Sequence, residues 1–268
     1  MANDGTQIAP VPAGGEDVTG ASLRRLSSLA GLLLLVQAVV LGIMLAMAPA
    51  RVVLPITLGL PGGRERIVLF TVDIGAGVIV LTMLVAVSRL VVVMPSVFPH
   101  YCSGVFLNRH TARWIEFVFS SSITLFLVAQ LNGVSDIGTL VLSYAITSGM
   151  TLFSVLQERS VRSAGGRMLP LWFGAAIGIV PWGVIAFHQV SALVVGQPPS
   201  ALARVITLTM LAFAFAFFLS HWRDQRRMDS VPFALAGERT HILLSLASTS
   251  VFAWLVAFGV LGVGNVRL

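Results

Sequence analysis

Apolar residues fall in long runs rather than in the short alternating clusters of a soluble domain. The first covers 26–48, and six more lie near 67–94, 112–131, 135–156, 169–194, 201–221 and 239–264. Each is long enough to cross a bilayer core as a helix, which takes about 20 residues. Hydrocarbon leaves no backbone polar group unpaired, so such runs form helices or a closed barrel. Stretches such as 78–87 and 208–219 lack the two-residue alternation of barrel strands. The pattern therefore predicts seven transmembrane helices. Turn residues mark the breaks: Pro55, Pro61 and Gly62–Gly63, Pro95 and Pro99, Gly165–Gly166, and Pro198–Pro199. An A-x-A-like site at Ala46–Ala48 imitates a signal-peptide cleavage site, but the run before it is too long for that role. Residues 1–22, rich in Gly, Pro and Ala, are expected to form a disordered tail. Residues 23–268 are expected to form one seven-helix domain without internal repeats.

Composition agrees and adds one constraint. Of 268 residues, 56 % are hydrophobic and 10 % charged, against about 25 % charged in a soluble domain. Mean hydropathy is +0.92. The expected class is a multi-pass protein of the cell membrane. All 17 basic residues are arginine, and the sequence contains no lysine. Chemistry that runs through a lysine amine is excluded. The single cysteine, Cys102, excludes a disulfide framework or a cysteine-rich metal site. A net charge of +6 does not imply nucleic acid, because the arginines sit at span ends. With the N-terminus inside, inner segments hold Arg24, Arg25, Arg109, Arg159, Arg162, Arg167, Arg223, Arg226, Arg227 and Arg239. Outer ones hold Arg51, Arg64, Arg66, Arg204 and Arg267. This bias predicts a cytoplasmic N-terminus and an external C-terminus.

Ionisable side chains inside the spans are candidates for function, because lipid penalises them. The charged groups well inside the spans are Asp73, Arg89, Arg113 and Glu116. Arg113 and Glu116 are three residues apart and share a helical face. They form either an intrahelical ion pair or a charged centre facing an interior cavity, with Ser120, Ser121 and Ser122 beside it. Arg89 is expected to snorkel to the inner surface, and Asp73 to sit near the outer interface. His100, Cys102 and His110 share the second loop, but their spacing fits no structural zinc site; no metal is expected. Gly174 and Gly178 form a G-x-x-x-G pattern suited to close helix contact or dimerisation. Pro181 and Trp182 suggest a kink beside a ring, and Phe213, Phe215, Phe217 and Phe218 a core or lipid-facing cluster. No phosphate loop, nucleophile triad or paired-carboxylate pattern is found, and the protein is not expected to be an enzyme.

Five ordered blocks carry a family resemblance. Residues 108–122 read NRHTARWIEFVFSSS, an Arg-Trp-x-Glu-aromatic run ending in three serines. Residues 129–140 (AQLNGVSDIGTL), 156–159 (LQER), 171–182 (LWFGAAIGIVPW) and 237–254 (GERTHILLSLASTSVFAW) follow. Together they resemble the heliorhodopsins, and the arginine bias gives the inverted topology characteristic of that family. The resemblance implies an all-α, rhodopsin-like bundle of seven transmembrane helices, a homodimer, and retinal held on a seventh-helix lysine as a protonated Schiff base. Glu116 matches the family's counterion, Arg113 its neighbouring arginine, and Ser245 the serine one turn before the lysine. The pattern Leu-Ser-Leu-x-x-Lys-Ser becomes Leu244 to Ser250 here, which puts Thr249 at the lysine position. Two histidines usual in the family are replaced by Leu34 and Arg89.

A threonine cannot form an imine, so no covalent cofactor is expected. With the Schiff-base cation gone, either Glu116 is neutral or Arg113, with Arg89, supplies the compensating charge. The leading expectation is a light-independent signalling or interaction protein, acting through its own dimer or a cytoplasmic protein partner docked at the basic segment His221 to Arg239. The alternatives are non-covalent binding of retinal, another isoprenoid or a lipid, helped by Trp114, Trp182 and Trp254, and a transporter or proton channel using Glu116, Arg113 and Asp73.

Overall fold

A computed structural model describes residues 13–48, 51–62, 65–160, 168–226 and 231–261. The described elements are α1 (Ala13–Ala46), β1 (Val53–Gly59), β2 (Arg66–Asp73), α2 (Ile74–Val92), α3 (Phe98–Phe106), α4 (Thr111–Leu131), α5 (Ile137–Ser160), α6 (Leu169–Val194), α7 (Ala201–Arg226) and α8 (Val231–Leu261). All but α3 among the helices are long and apolar enough to cross a membrane, giving seven spans among the described residues. α1 packs on α2 and α8, α2 on α4 and α8, and α5 on α4 and α6. α4 and α8 are the most enclosed and α6 the least. Side chains on α4 and α8 are therefore best placed to face one another away from lipid.

Three local readings change. α1 begins at Ala13, inside the segment expected to be a tail; residues 1–12 lie outside the described residues. Second, the apolar run near 67–94 is a strand before it is a helix. Arg66–Asp73 pairs antiparallel with Val53–Gly59, from Val53↔Asp73 to Gly59↔Arg66, with an irregularity between Ile56 and Thr57. A short apolar run rich in Ile, Val, Phe and Thr cannot be told from a helix segment by periodicity alone. The helix starts where Asp73 Oδ1 accepts the Ala76 N–H at 3.1 Å as its N-cap. Asp73 thus sits at the end of α2, with Arg51 3.6 Å away. Third, the second loop contains the nine-residue helix α3, opened by Pro99 in its first turn.

The hairpin is fixed to the bundle at the start of α5. The Thr57 N–H donates to Ser135 O at 2.8 Å, and the Thr57 and Ser135 hydroxyls lie 3.1 Å apart. Gly174 and Gly178 bring α6 against α5: a Cβ on Gly178 would meet Met150 Sδ, and one on Gly174 would meet Phe153 Cβ and the Met150 carbonyl. The G-x-x-x-G pattern is spent within the chain. Pro181 lies inside α6, which continues through it.

Candidate functional site

Glu116 lies on the buried face of α4, and its carboxylate meets groups from three helices. Arg89 Nη2, near the end of α2, bonds Oε2 directly; the two side chains are 5 % and 2 % exposed. His241 Nε2 of α8 is 3.4 Å from the same oxygen. Oε1 accepts the Ser245 hydroxyl of α8 at 2.9 Å and the Ser120 hydroxyl of α4 at 3.3 Å. Arg89 does not snorkel. Its face of α2 packs against α4 and α8, so its guanidinium meets a carboxylate inside the bundle before it reaches an interface.

Arg113 does not pair with Glu116, although the two share a face. Partners on other helices draw the two apart: carboxylates on α7 and α8 take the Arg113 guanidinium, and Arg89 takes Glu116. The Arg113 guanidinium lies 3.3 Å (Nη2) and 3.4 Å (Nη1) from Asp224 Oδ2 on α7, and its Nη1 is 4.0 Å from Glu238 Oε2 on α8. It also lies over the Trp114 ring, 4.9 Å from the centroid. Of the two arginines named as compensating charges, Arg89 takes that place.

Glu238 and Glu158 complete a second polar centre. Glu238 Oε1 accepts the Tyr101 hydroxyl at 2.8 Å, and its Oε2 is 2.7 Å from His110 Nδ1. Glu158 Oε1 accepts the His110 N–H at 3.0 Å, and Oε2 accepts Trp114 Nε1–H at 2.6 Å. Burial, with the Glu238 carboxylate beside it, pushes the Tyr101 phenol far up; it remains a proton donor. His110 therefore belongs to this centre, while His100 and Cys102 do not join it. Among the described residues no three metal-ligating side chains come together.

A cavity of about 120 Å³ adjoins Glu116. Phe117, Ser120, Trp182, Phe217, His221, Ser245 and Thr249 are among its walls. Three sequence candidates, Trp182, Ser245 and Thr249, meet here. Glu116 stands behind Ser120 and Ser245, which face the cavity and both bond its Oε1. Arg113 lies apart, Trp114 belongs to the Glu158 centre, and Trp254 packs against the apolar core. His221 Nε2 is buried with no hydrogen-bond partner among the described residues, and its ring stacks 5.9 Å from His241.

Sequence reasoning missed Asp224, Glu158, Glu238, His221 and His241 as members of the site. The apolar run of the last span starts near residue 239 and excludes Glu238, whereas α8 begins at Val231. Glu238, His241 and Ser245 then recur at three- and four-residue spacing on one face, a signal open to the intramembrane-charge rule.

Seven spanning helices around buried charge and an inner cavity define a rhodopsin-like, multi-pass membrane protein. The heliorhodopsin family profile matches residues 23–261, and the chain belongs to the heliorhodopsin family. No curated protein matches it.

The residues present suit only part of the retinal that this family implies. Aromatic and aliphatic walls fit a polyene, and hydroxyls fit a polar end. The chain has no lysine to form the Schiff base, and the cavity is below the usual range of roughly 300–1,000 Å³ for sites enclosing ligands of drug size. Covalently held retinal does not fit this site.

Proposed function

We propose that this heliorhodopsin-family protein works without a retinal Schiff base, as a light-independent membrane protein that signals or interacts through its own dimer or a cytoplasmic partner. The Arg89–Glu116 pair carries the reading. By resemblance, Glu116 stands where the family places the counterion of its chromophore, and here it is bound by a guanidinium from the chain itself. A buried carboxylate needs one such partner. Thr249, aligned with the family's lysine, lines the cavity with a hydroxyl in place of an amine. The docking surface is narrower than the segment His221 to Arg239 suggests: His221 and Glu238 are buried, while Arg223, Arg226 and Arg239 are exposed.

The test is reconstitution with all-trans-retinal. The purified protein is expected to show no visible band that survives denaturation, and such a band overturns the proposal. Thr249→Lys combined with Arg89→His frees Glu116 for a new cation and is expected to bind retinal covalently.

Non-covalent binding of a retinoid, isoprenoid or lipid is the second reading. The unpartnered His221 Nε2 at the cavity supports it, since it can bond a ligand hydroxyl or carbonyl. Native mass spectrometry finding a bound small molecule that a His221→Phe variant loses would favour it. A transporter has less support, because the apolar core lies between Asp73 and the Glu116 centre.

A further inference from the structure

A second hollow, of about 580 Å³, lies between α4 and α5 at the arginine-rich end of the bundle. Its apolar walls include Ile115 and Leu152, which are 58 % and 55 % exposed and thus face lipid. Arg109 and Arg159 stand at its rim, exposed, their guanidinium groups without a hydrogen bond or ion pair among the described residues. Glu158 also lines the hollow and keeps its charge, but its oxygens are turned inward, away from the two guanidinium groups, which leaves two cations against one anion. Both of its oxygens are engaged by His110 N–H and Trp114 Nε1–H.

The N-terminus of α4 opens on the same hollow through Thr111. This 21-residue helix has no side-chain cap: His110 occupies the cap position without bonding the first turn. The His110 N–H at this cap is already held by Glu158; the positive end of the helix dipole still favours an anion, and guanidinium groups match phosphate oxygens. The upper part of the hollow thus suits a phosphate, and the lower part an acyl chain. A free phosphate would satisfy the rim and leave the apolar walls bare.

We propose that this groove binds one anionic phospholipid, its phosphodiester held by Arg109, Arg159 and the start of α4, and one acyl chain lying against Ile115 and Leu152. The lipid joins α4 to α5 directly outside the Trp114–Glu158 bond, so its occupancy bears on the buried polar centre.

The test is retention of phosphatidylglycerol by the purified full chain in detergent, counted by native mass spectrometry. An Arg109→Gln/Arg159→Gln variant is compared with Arg24→Gln/Arg226→Gln, which removes equal charge at the same end. The rim variant is expected to bind about 30-fold more weakly, from two arginines acting on one headgroup, and the control to bind like the unaltered protein. Val118→Trp, which fills the groove wall, is expected to weaken binding with both arginines intact. Equal loss in the control, undiminished retention by the rim variant or by Val118→Trp, or displacement of the lipid by inorganic phosphate each overturns the proposal.

Discussion

Replacing Arg89 with leucine isolates the charge that the bundle has placed beside Glu116. Leucine keeps most of the buried aliphatic contact, so the perturbation is removal of the guanidinium. Both partners are almost fully enclosed, at 5 % and 2 % exposure. Solvent cannot replace the missing partner, and breaking a buried ion pair costs about 3–5 kcal/mol. For a chain of this size 1 kcal/mol moves the melting temperature by about 2–4 °C, so a fall of roughly 6–20 °C is expected. Glu116→Leu alone should cost a similar amount, because it strands Arg89. The double variant should recover most of the loss, since an apolar pair of similar volume replaces a buried ion pair at little cost. The coupling energy of that cycle is expected to exceed about 2 kcal/mol, well above the roughly 0.6 kcal/mol average for a hydrogen bond between membrane helices. Thermal denaturation of the four proteins in one detergent measures it. Single variants within about 1 kcal/mol of the unaltered protein, or strictly additive losses, would show that the pair does not hold the site.

Three further outcomes follow from other parts of the fold. Tyr101→Phe leaves Glu238 without its Oε1 partner and should cost about 1–3 kcal/mol, while Phe98→Tyr at the half-buried edge of the same cluster should cost less. The Asp136 carboxyl, at the start of α5, is held below its usual value mainly by the Thr139 N–H. Its contribution is full above the ordinary carboxylate range and is lost as pH falls through the lowered value, so Asp136→Asn should flatten the acid limb of stability below about pH 4. Gly174→Val places a side chain against Phe153 Cβ at 3.0 Å and the Met150 carbonyl at 3.1 Å; backbone cannot yield cheaply, and a loss of about 1–3 kcal/mol is expected in the same melts.

The seven spans were legible because lipid enforces long apolar helices, a constraint that acts on each segment separately. The hairpin was not, because the Ile67 to Val72 run is apolar on both faces and its length suits a strand as well as a helix start. Asp73 was the available signal: read as an N-cap, it divides strand from helix. Within the site, Glu116 stands out as a charge inside a span and Trp182 as a ring beside Pro181; Ser245 and Thr249 come from a family block, and all four lie at or directly behind one cavity. The partners of the two arginines were not found. Arg113 and Glu116 share a face by spacing, yet carboxylates on α7 and α8 take the one and Arg89 on α2 takes the other. Pairings between helices distant in sequence depend on packing that no single periodicity encodes, and Arg113 with Asp224 is an example.

The guanidinium on α2 also makes ancestry hard to retrace one step at a time. On the proposed reading, a threonine-to-lysine reversion alone would crowd two cations around a single acid, whereas restoring histidine alone would strand that acid in hydrocarbon. On that reading each single exchange leaves the buried charges unbalanced, and only the paired exchange restores the balance.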